Sequence, residues 1–193
     1  MFCIATLLPA VSVAQSTILV FGDSLSAGYG IPREAAWPSL LQAELQRTHP
    51  HYRVVNASIS GETTSGGIQR LSATLKAHRP NIVIIELGAN DGLRGTRLDL
   101  MEKNLNGLIQ KSKNAGAKVL LLGMQLPPNY GVDYTKRFKT LYPKLAQRQR
   151  IELVPFMLQG IEPEQFQADN LHPVAEAQPK ILETVMQKLK PML

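Results

Sequence analysis

The sequence predicts a doubly wound α/β domain, and three observations carry the prediction. Short apolar runs alternate with longer amphipathic ones along the chain. The runs "NIVIIEL" (81–87) and "KVLLLGM" (118–124) are apolar on both faces, as strands of a parallel sheet covered from both sides should be. The strand–helix–strand order repeats, which implies right-handed crossovers packed on a sheet.

Taken in order, "TILVF" at Thr17–Phe21 is the first strand and Trp37–Thr48 the first long helix. Arg53–Ala57 is the second strand. Thr64–His78 follows as a helix ending in a histidine, where a cation suits the helix dipole. Ile82–Leu87 is the third strand and Leu98–Asn114 the next helix. Lys118–Gly123 is the fourth strand. In the helix Tyr134–Gln149, basic residues fall at helical spacing around Phe138, Leu141 and Leu145, a solvated face over a core stripe. Ile151–Val154 is the fifth strand. Ala175–Lys190 is the last helix, with Pro179 marking either its first turn or a kink.

Such sheets bind ligands beyond the C-terminal ends of their strands, where the strand order reverses. At those ends stand Gly22-Asp23-Ser24, then "NASISGETT" with Gly61, then "GAND" (88–91), then "ADNLHP" with Asp169 and His172. Ser24 as a nucleophile needs a base in hydrogen-bond contact, and His172 is the best-placed histidine. Asp169, three residues earlier, is spaced to hold Nδ1 while Nε2 faces outward. Donors for a developing oxyanion are the Ser24 N–H, the Gly61 N–H and the Asn90 amide, the last beside Ser24 if the third strand neighbours the first.

Each residue also has an ordinary use. Asp23 and Asp91 read singly as caps or Asx-turns. Ser24, Gly61 and Asn90 read as turn residues, Asp169 as a helix cap and His172 as a surface histidine. Only the joint pattern favours chemistry.

"FGDSLSAG", "SGETT", "GAND" and "DNLHP" resemble, in order, the four blocks of the GDSL/SGNH hydrolase family. "ELGANDGLRGT" and "MQLPPNYG" look most like its bacterial thioesterase and arylesterase subgroup. The resemblance implies a flavodoxin-like three-layer α/β/α fold of five parallel strands. It implies Ser24 as nucleophile, Asp169 and His172 as the acid–base pair, and Ser24, Gly61 and Asn90 as oxyanion donors. Ala89 stands where many relatives have Gly, which is tolerable if its φ is negative.

The 193 residues fit one domain, 16–193, after a leader at 1–15. That leader is uncharged and too short to span a bilayer. It resembles the apolar region of a secretory signal ending in Ser12-Val13-Ala14, without a basic start, and implies a periplasmic or secreted enzyme. A buried first strand or a frayed tail is the alternative. Its Cys3 is the only cysteine, which disfavours thiol catalysis, a Cys-ligated zinc site and a disulfide scaffold. The net charge of +6 accompanies no nucleic-acid module, and at most a weak contact with a membrane surface is expected.

The expected activity is hydrolysis of acyl esters and thioesters through an acyl-enzyme, by a monomer with no cofactor or metal. The loops after the third to fifth strands should line an apolar acyl track through Met124, Leu126, Tyr130, Phe156, Met157 and Ile161. The rivals are a carbohydrate acetylesterase of the same family and a metal-dependent phosphoesterase using Asp23, Asn90, Asp91 and His172.

Overall fold

The computed structural model describes residues 15–193. The leader expectation falls on residues 1–14, outside the described residues, apart from Gln15.

Five strands form one parallel sheet: β1 (Ser16–Gly22), β2 (Tyr52–Asn56), β3 (Ile82–Glu86), β4 (Lys118–Leu122) and β5 (Glu152–Val154). Their spatial order is β2-β1-β3-β4-β5. The chain moves outward from β1 to β2, then crosses back to place β3 on the other side of β1. The order therefore reverses between β1 and β3, and a crevice opens at their C-terminal ends.

The helices are α1 (Ser24–Ala27), α2 (Trp37–Thr48), α3 (Thr64–His78), α4 (Ala89–Leu93), α5 (Leu98–Asn114), α6 (Val132–Gln149) and α7 (Gln178–Leu189). Helix α2 packs with α7, and α5 packs with α3 and α6, forming layers around the sheet. This double covering explains the two-sided apolar runs: Ile18–Phe21 and Ile82–Ile85 are buried along their whole length. Trp37, Leu41 and Leu45 of α2 and Ile181, Val185 and Leu189 of α7 are fully buried stripes at helical spacing.

The boundaries differ from expectation by a residue or two at β1, β2, β3, β4, β5 and α6. The segment expected as one helix over Ala175–Lys190 begins with a separate 3-10 turn, Ala175–Ala177. Pro179 sits in the first turn of α7, where its missing N–H has no intrahelical role. Helix α6 continues through Pro143, with buried Phe138, Leu141, Tyr142 and Leu145 packing on both sides of the interruption.

Candidate active site

Strand β1 delivers Ser24 to the crevice. Asp23 caps α1 by accepting from the Leu25 N–H at 3.1 Å, and Gly28 ends that helix in the left-handed region. The cap makes Ser24 the first helical residue, so its own N–H lies outside the helical hydrogen-bond ladder. Ser24 is 8% exposed.

The His172 segment is a short loop pinched at its base by the Phe166–Pro173 bridge. Gln167 N–H donates to the His172 carbonyl at 2.8 Å. Asp169 Oδ1 accepts from the Leu171 and His172 N–H groups at 2.9 and 3.0 Å. The turn places Asn170 at φ +57°, a left-handed conformation that asparagine tolerates. It also sets Asp169 Oδ2 2.6 Å from His172 Nδ1, and His172 Nε2 2.8 Å from Ser24 Oγ. The result is an unbroken chain from carboxylate through imidazole to hydroxyl. Partial burial pushes the Asp169 carboxyl up, but the Leu171 N–H and the His172 ring and N–H outweigh it and hold it down at about 2. An ionised Asp169 keeps the proton on Nδ1 and leaves Nε2 as acceptor for the Ser24 hydroxyl. Tyr29 lies against the imidazole, ring centres 4.6 Å apart. The Tyr29 carbonyl accepts from Gln167 Nε2, tying the two loops together.

Strand β3 ends at the opposite wall. Gly88 has φ +118°, and a side chain there would collide with the Tyr142 hydroxyl and the Met101 methyl, so glycine is required. Ala89, in contrast, opens α4 in ordinary helical conformation, so alanine is accommodated. Asn90 follows in α4, with Nδ2 donating to Asp23 Oδ2 at 3.0 Å. Asp91 does not form a local turn. Its oxygens accept from the Thr64 N–H at 2.8 Å and the Thr64 hydroxyl at 2.6 Å, clamping the start of α3 to α4.

That clamp and the Ile59 N–H to Gly22 carbonyl bond at 3.0 Å hold the Gly61 loop between β1 and α4. Arg70 of α3 stiffens the loop through Glu62 and the Ala57 carbonyl. Gly61 has φ +78°, and its carbonyl accepts from Arg94. Neither the Gly61 nor the Ser24 N–H donates to another group among the described residues.

Ser24, Asn90 and His172 border a cavity of about 350 Å³. Of the residues expected to form the acyl track, Met124, Leu126 and Phe156 line it. Met157 does not: it is fully buried in the core. Tyr130 and Ile161 also lie outside the lining. Tyr130 belongs to the 3-10 turn Pro128–Tyr130, and Ile161 packs against the core. Leu93, Leu158 and Phe166 complete much of the apolar wall. Leu93 lies one helical turn beyond Asn90, in the segment after the third strand that was expected to border the track.

The cation-binding rival finds its carboxylates engaged: Asp91 is committed to Thr64, and Asp23 to Leu25 and Asn90. Among the described residues no three His, Cys, Asp or Glu side chains gather as metal ligands. The residue that sequence reasoning missed is Glu86, fully buried beside Asp23. Its signal was a lone carboxylate inside a run apolar on both faces.

The sequence profile of the GDSL-like lipase/acylhydrolase family matches residues 20–178. The chain belongs to that family. This family member is 48% identical to the esterase TesA of Pseudomonas aeruginosa, over 99% of this chain and 96% of that protein. It is 42% identical to the thioesterase 1/protease 1/lysophospholipase L1 of Escherichia coli K12, over all of this chain and 92% of the other. A crystal structure of the psychrotrophic esterase EstA from a Pseudoalteromonas species, inhibited by monoethylphosphonate, shares the fold with a TM-score of 0.87. It is 40% identical, covering 92% of this chain and 98% of that one.

Proposed function

We propose that this GDSL-family esterase works through an acyl-enzyme on Ser24, with His172 as general base and acid and Asp169 as the group that orients it. The observation that carries the reading is the continuous Asp169–His172–Ser24 hydrogen-bonded chain at the edge of an apolar cavity. In the first half-reaction Ser24 Oγ bonds to the ester or thioester carbonyl carbon, and its proton passes to His172 Nε2. The Ser24 and Gly61 N–H groups and the Asn90 amide receive the negative oxygen. The tetrahedral intermediate collapses as the carbon–oxygen or carbon–sulfur bond breaks, and His172 returns the proton to the leaving group. Water then repeats the sequence and breaks the Ser24–acyl bond.

The apolar lining supports acyl chains as substrates, and the names of the relatives, a Vibrio mimicus arylesterase among them, support aryl esters, acyl thioesters and lysophospholipids. A cavity of this size and character discriminates weakly between neighbouring chain lengths, since one methylene is worth only about 1–3 kcal/mol. Export through a leader ending near Ala14 completes the proposal, on the strength of the leader's composition alone.

The test is intact mass after an organophosphonate. Wild type should gain one phosphonyl group on Ser24, Ser24→Ala none, and EDTA should leave turnover unchanged. Loss of turnover on chelation, restored by a divalent ion, would sink the proposal.

A further inference from the structure

A fully buried carboxyl lies behind Ser24, and no catalytic step uses it. Glu86 ends β3, in register with Gly22. It is 0% exposed, as is Asp23. Its Oε2 accepts from the Asp23 N–H at 3.1 Å and the Ser26 hydroxyl at 2.7 Å, and so holds the chain on both sides of Ser24. A Cβ on residue 22 would sit 2.6 Å from Oε2, so glycine at this position makes room for the Glu86 carboxyl.

Glu86 Oε1 is buried and receives no donor. The Glu86 and Asp23 carboxyls are close enough that the charge of Asp23 acts on Glu86. Two fully buried carboxyls this close cannot both ionise cheaply, so one of them keeps its proton. Oε2 already takes two donors, which leaves Oε1 as the place for the hydrogen. Asp23 has donors on both oxygens, Leu25 N–H on Oδ1 and Asn90 Nδ2 on Oδ2, and these favour its anion. Burial pushes the Glu86 carboxyl well above the usual range, and the Asp23 charge pushes it further. Burial raises Asp23 as well, to about 6, restrained by Leu25, Asn90, Glu86 and His172. Tyr142 faces the pair from α6, but its hydroxyl donates to the Leu87 carbonyl at 3.1 Å.

We propose that Glu86 is held as a neutral carboxylic acid and that, by accepting from the Asp23 N–H and the Ser26 hydroxyl, it is a positioning residue for the oxyanion site. Glu86 holds Asp23, and Asp23 holds one N–H of Asn90 so that the other stays aimed at the developing oxyanion. The inference rests on Asn90 being an oxyanion donor, as read above. It assigns the Asp of Gly-Asp-Ser a second use beyond capping α1, and the Gly a reason in the carboxyl it makes room for.

The test compares Glu86→Met and Glu86→Gln in the full chain, with p-nitrophenyl butyrate as substrate. Glu86→Met removes the acceptor of the Asp23 N–H and the Ser26 hydroxyl, and kcat should fall about 10–100-fold with KM within about 3-fold, the size expected when a reacting group is slightly misplaced. Glu86→Gln keeps a neutral side chain with a carbonyl acceptor for both groups and should recover most of that loss. Isotope-edited infrared spectra of wild type should show the carbonyl band of a neutral carboxylic acid at pH 8, absent in Glu86→Gln. This readout needs no activity and no stable Met variant. An ionised Glu86 in those spectra, or a Gln variant no better than Met, overturns the proposal. A Ser24→Ala variant that kept its turnover would instead overturn the catalytic reading, leaving the infrared result to stand or fall by itself.

Discussion

Replacing Asn90 by alanine separates two jobs that one side chain performs. Its Nδ2 carries two hydrogens, and one is committed to Asp23 Oδ2 at 3.0 Å. The other is the proposed donor to the oxyanion. Loss of such a donor costs about 10²–10³-fold in kcat, or about 2.7–4 kcal/mol, and leaves KM nearly unchanged because the charge exists only in the transition state. The first job bears on stability. Asp23 is fully buried, and a buried carboxylate that loses a donor is destabilised by about 1–3 kcal/mol. Asp23 has an escape, however. Burial already raises it to about 6, and loss of the Asn90 bond raises it further. At pH 7 it can take up a proton, which costs about 1.4 kcal/mol for one pH unit and caps the penalty there. For a domain of this size that is a fall in Tm of roughly 3–6 °C. The escape becomes costlier as pH rises, so the Tm deficit of Asn90→Ala should widen between pH 7 and 8.5. The assay is steady-state hydrolysis of p-nitrophenyl butyrate beside thermal melts followed by circular dichroism. A kcat within about 5-fold of wild type would return Asn90 to the role of a turn residue. A deficit in Tm that did not change with pH would refute the reasoning about Asp23.

His172→Ala should lower kcat by about 10⁴-fold or more, Asp169→Ala by less, and the double variant no further than His172→Ala alone, since the residues act as a unit. Acid should weaken the fold through Asp169: its folded value of about 2 lies below the unfolded 3.8, so the stability it supplies is present above about pH 4 and is lost as pH falls toward 2. Asp23 acts with the opposite sign, its folded value of about 6 lying above the unfolded 3.8, so its contribution is lost as pH rises from about 4 to about 6. Urea midpoints against pH for wild type, Asp169→Asn and Asp23→Asn measure both limbs, and a variant curve parallel to wild type would contradict the assignment. Leu126→Trp should fill part of the cavity and lower kcat/KM for a decanoyl ester by about tenfold or more, since each buried methylene is worth about 0.8 kcal/mol, while an acetyl ester stays within about 3-fold. Equal losses on both esters would place the acyl chain elsewhere.

The parts of the site legible in the sequence are those that depend on neighbours along the chain. Asp169 and His172 are three residues apart, so one turn could be seen to bring carboxylate and imidazole together. Asp23 beside Ser24 reads as a cap, and it is one. Errors arose where the chain leaves a regular element. Beyond β5 no strand period says which of Phe156 and Met157 faces outward, and the structure turns Phe156 to the cavity and Met157 to the core. Asp91 reads as a local cap or Asx-turn because its partner, Thr64, is 27 residues away and comes into reach only when α3 and α4 start side by side.

By itself the sequence determined the layer architecture, since apolar period and two-sided apolar runs are properties of successive residues and dictate which faces must be covered. It also determined which residue types gather at the C-terminal edge, because every block follows a strand. Only the tertiary structure decided what those residues touch. The reversal between β1 and β3 sets Glu86 in register with Gly22, across 63 residues from Asp23. A carboxyl that reads as an intruder in an apolar strand thereby acquires two donors and an acidic neighbour. Its environment is made by segments that meet only when the sheet is assembled, and burial there, acting on two carboxyls at once, decides where the proton resides.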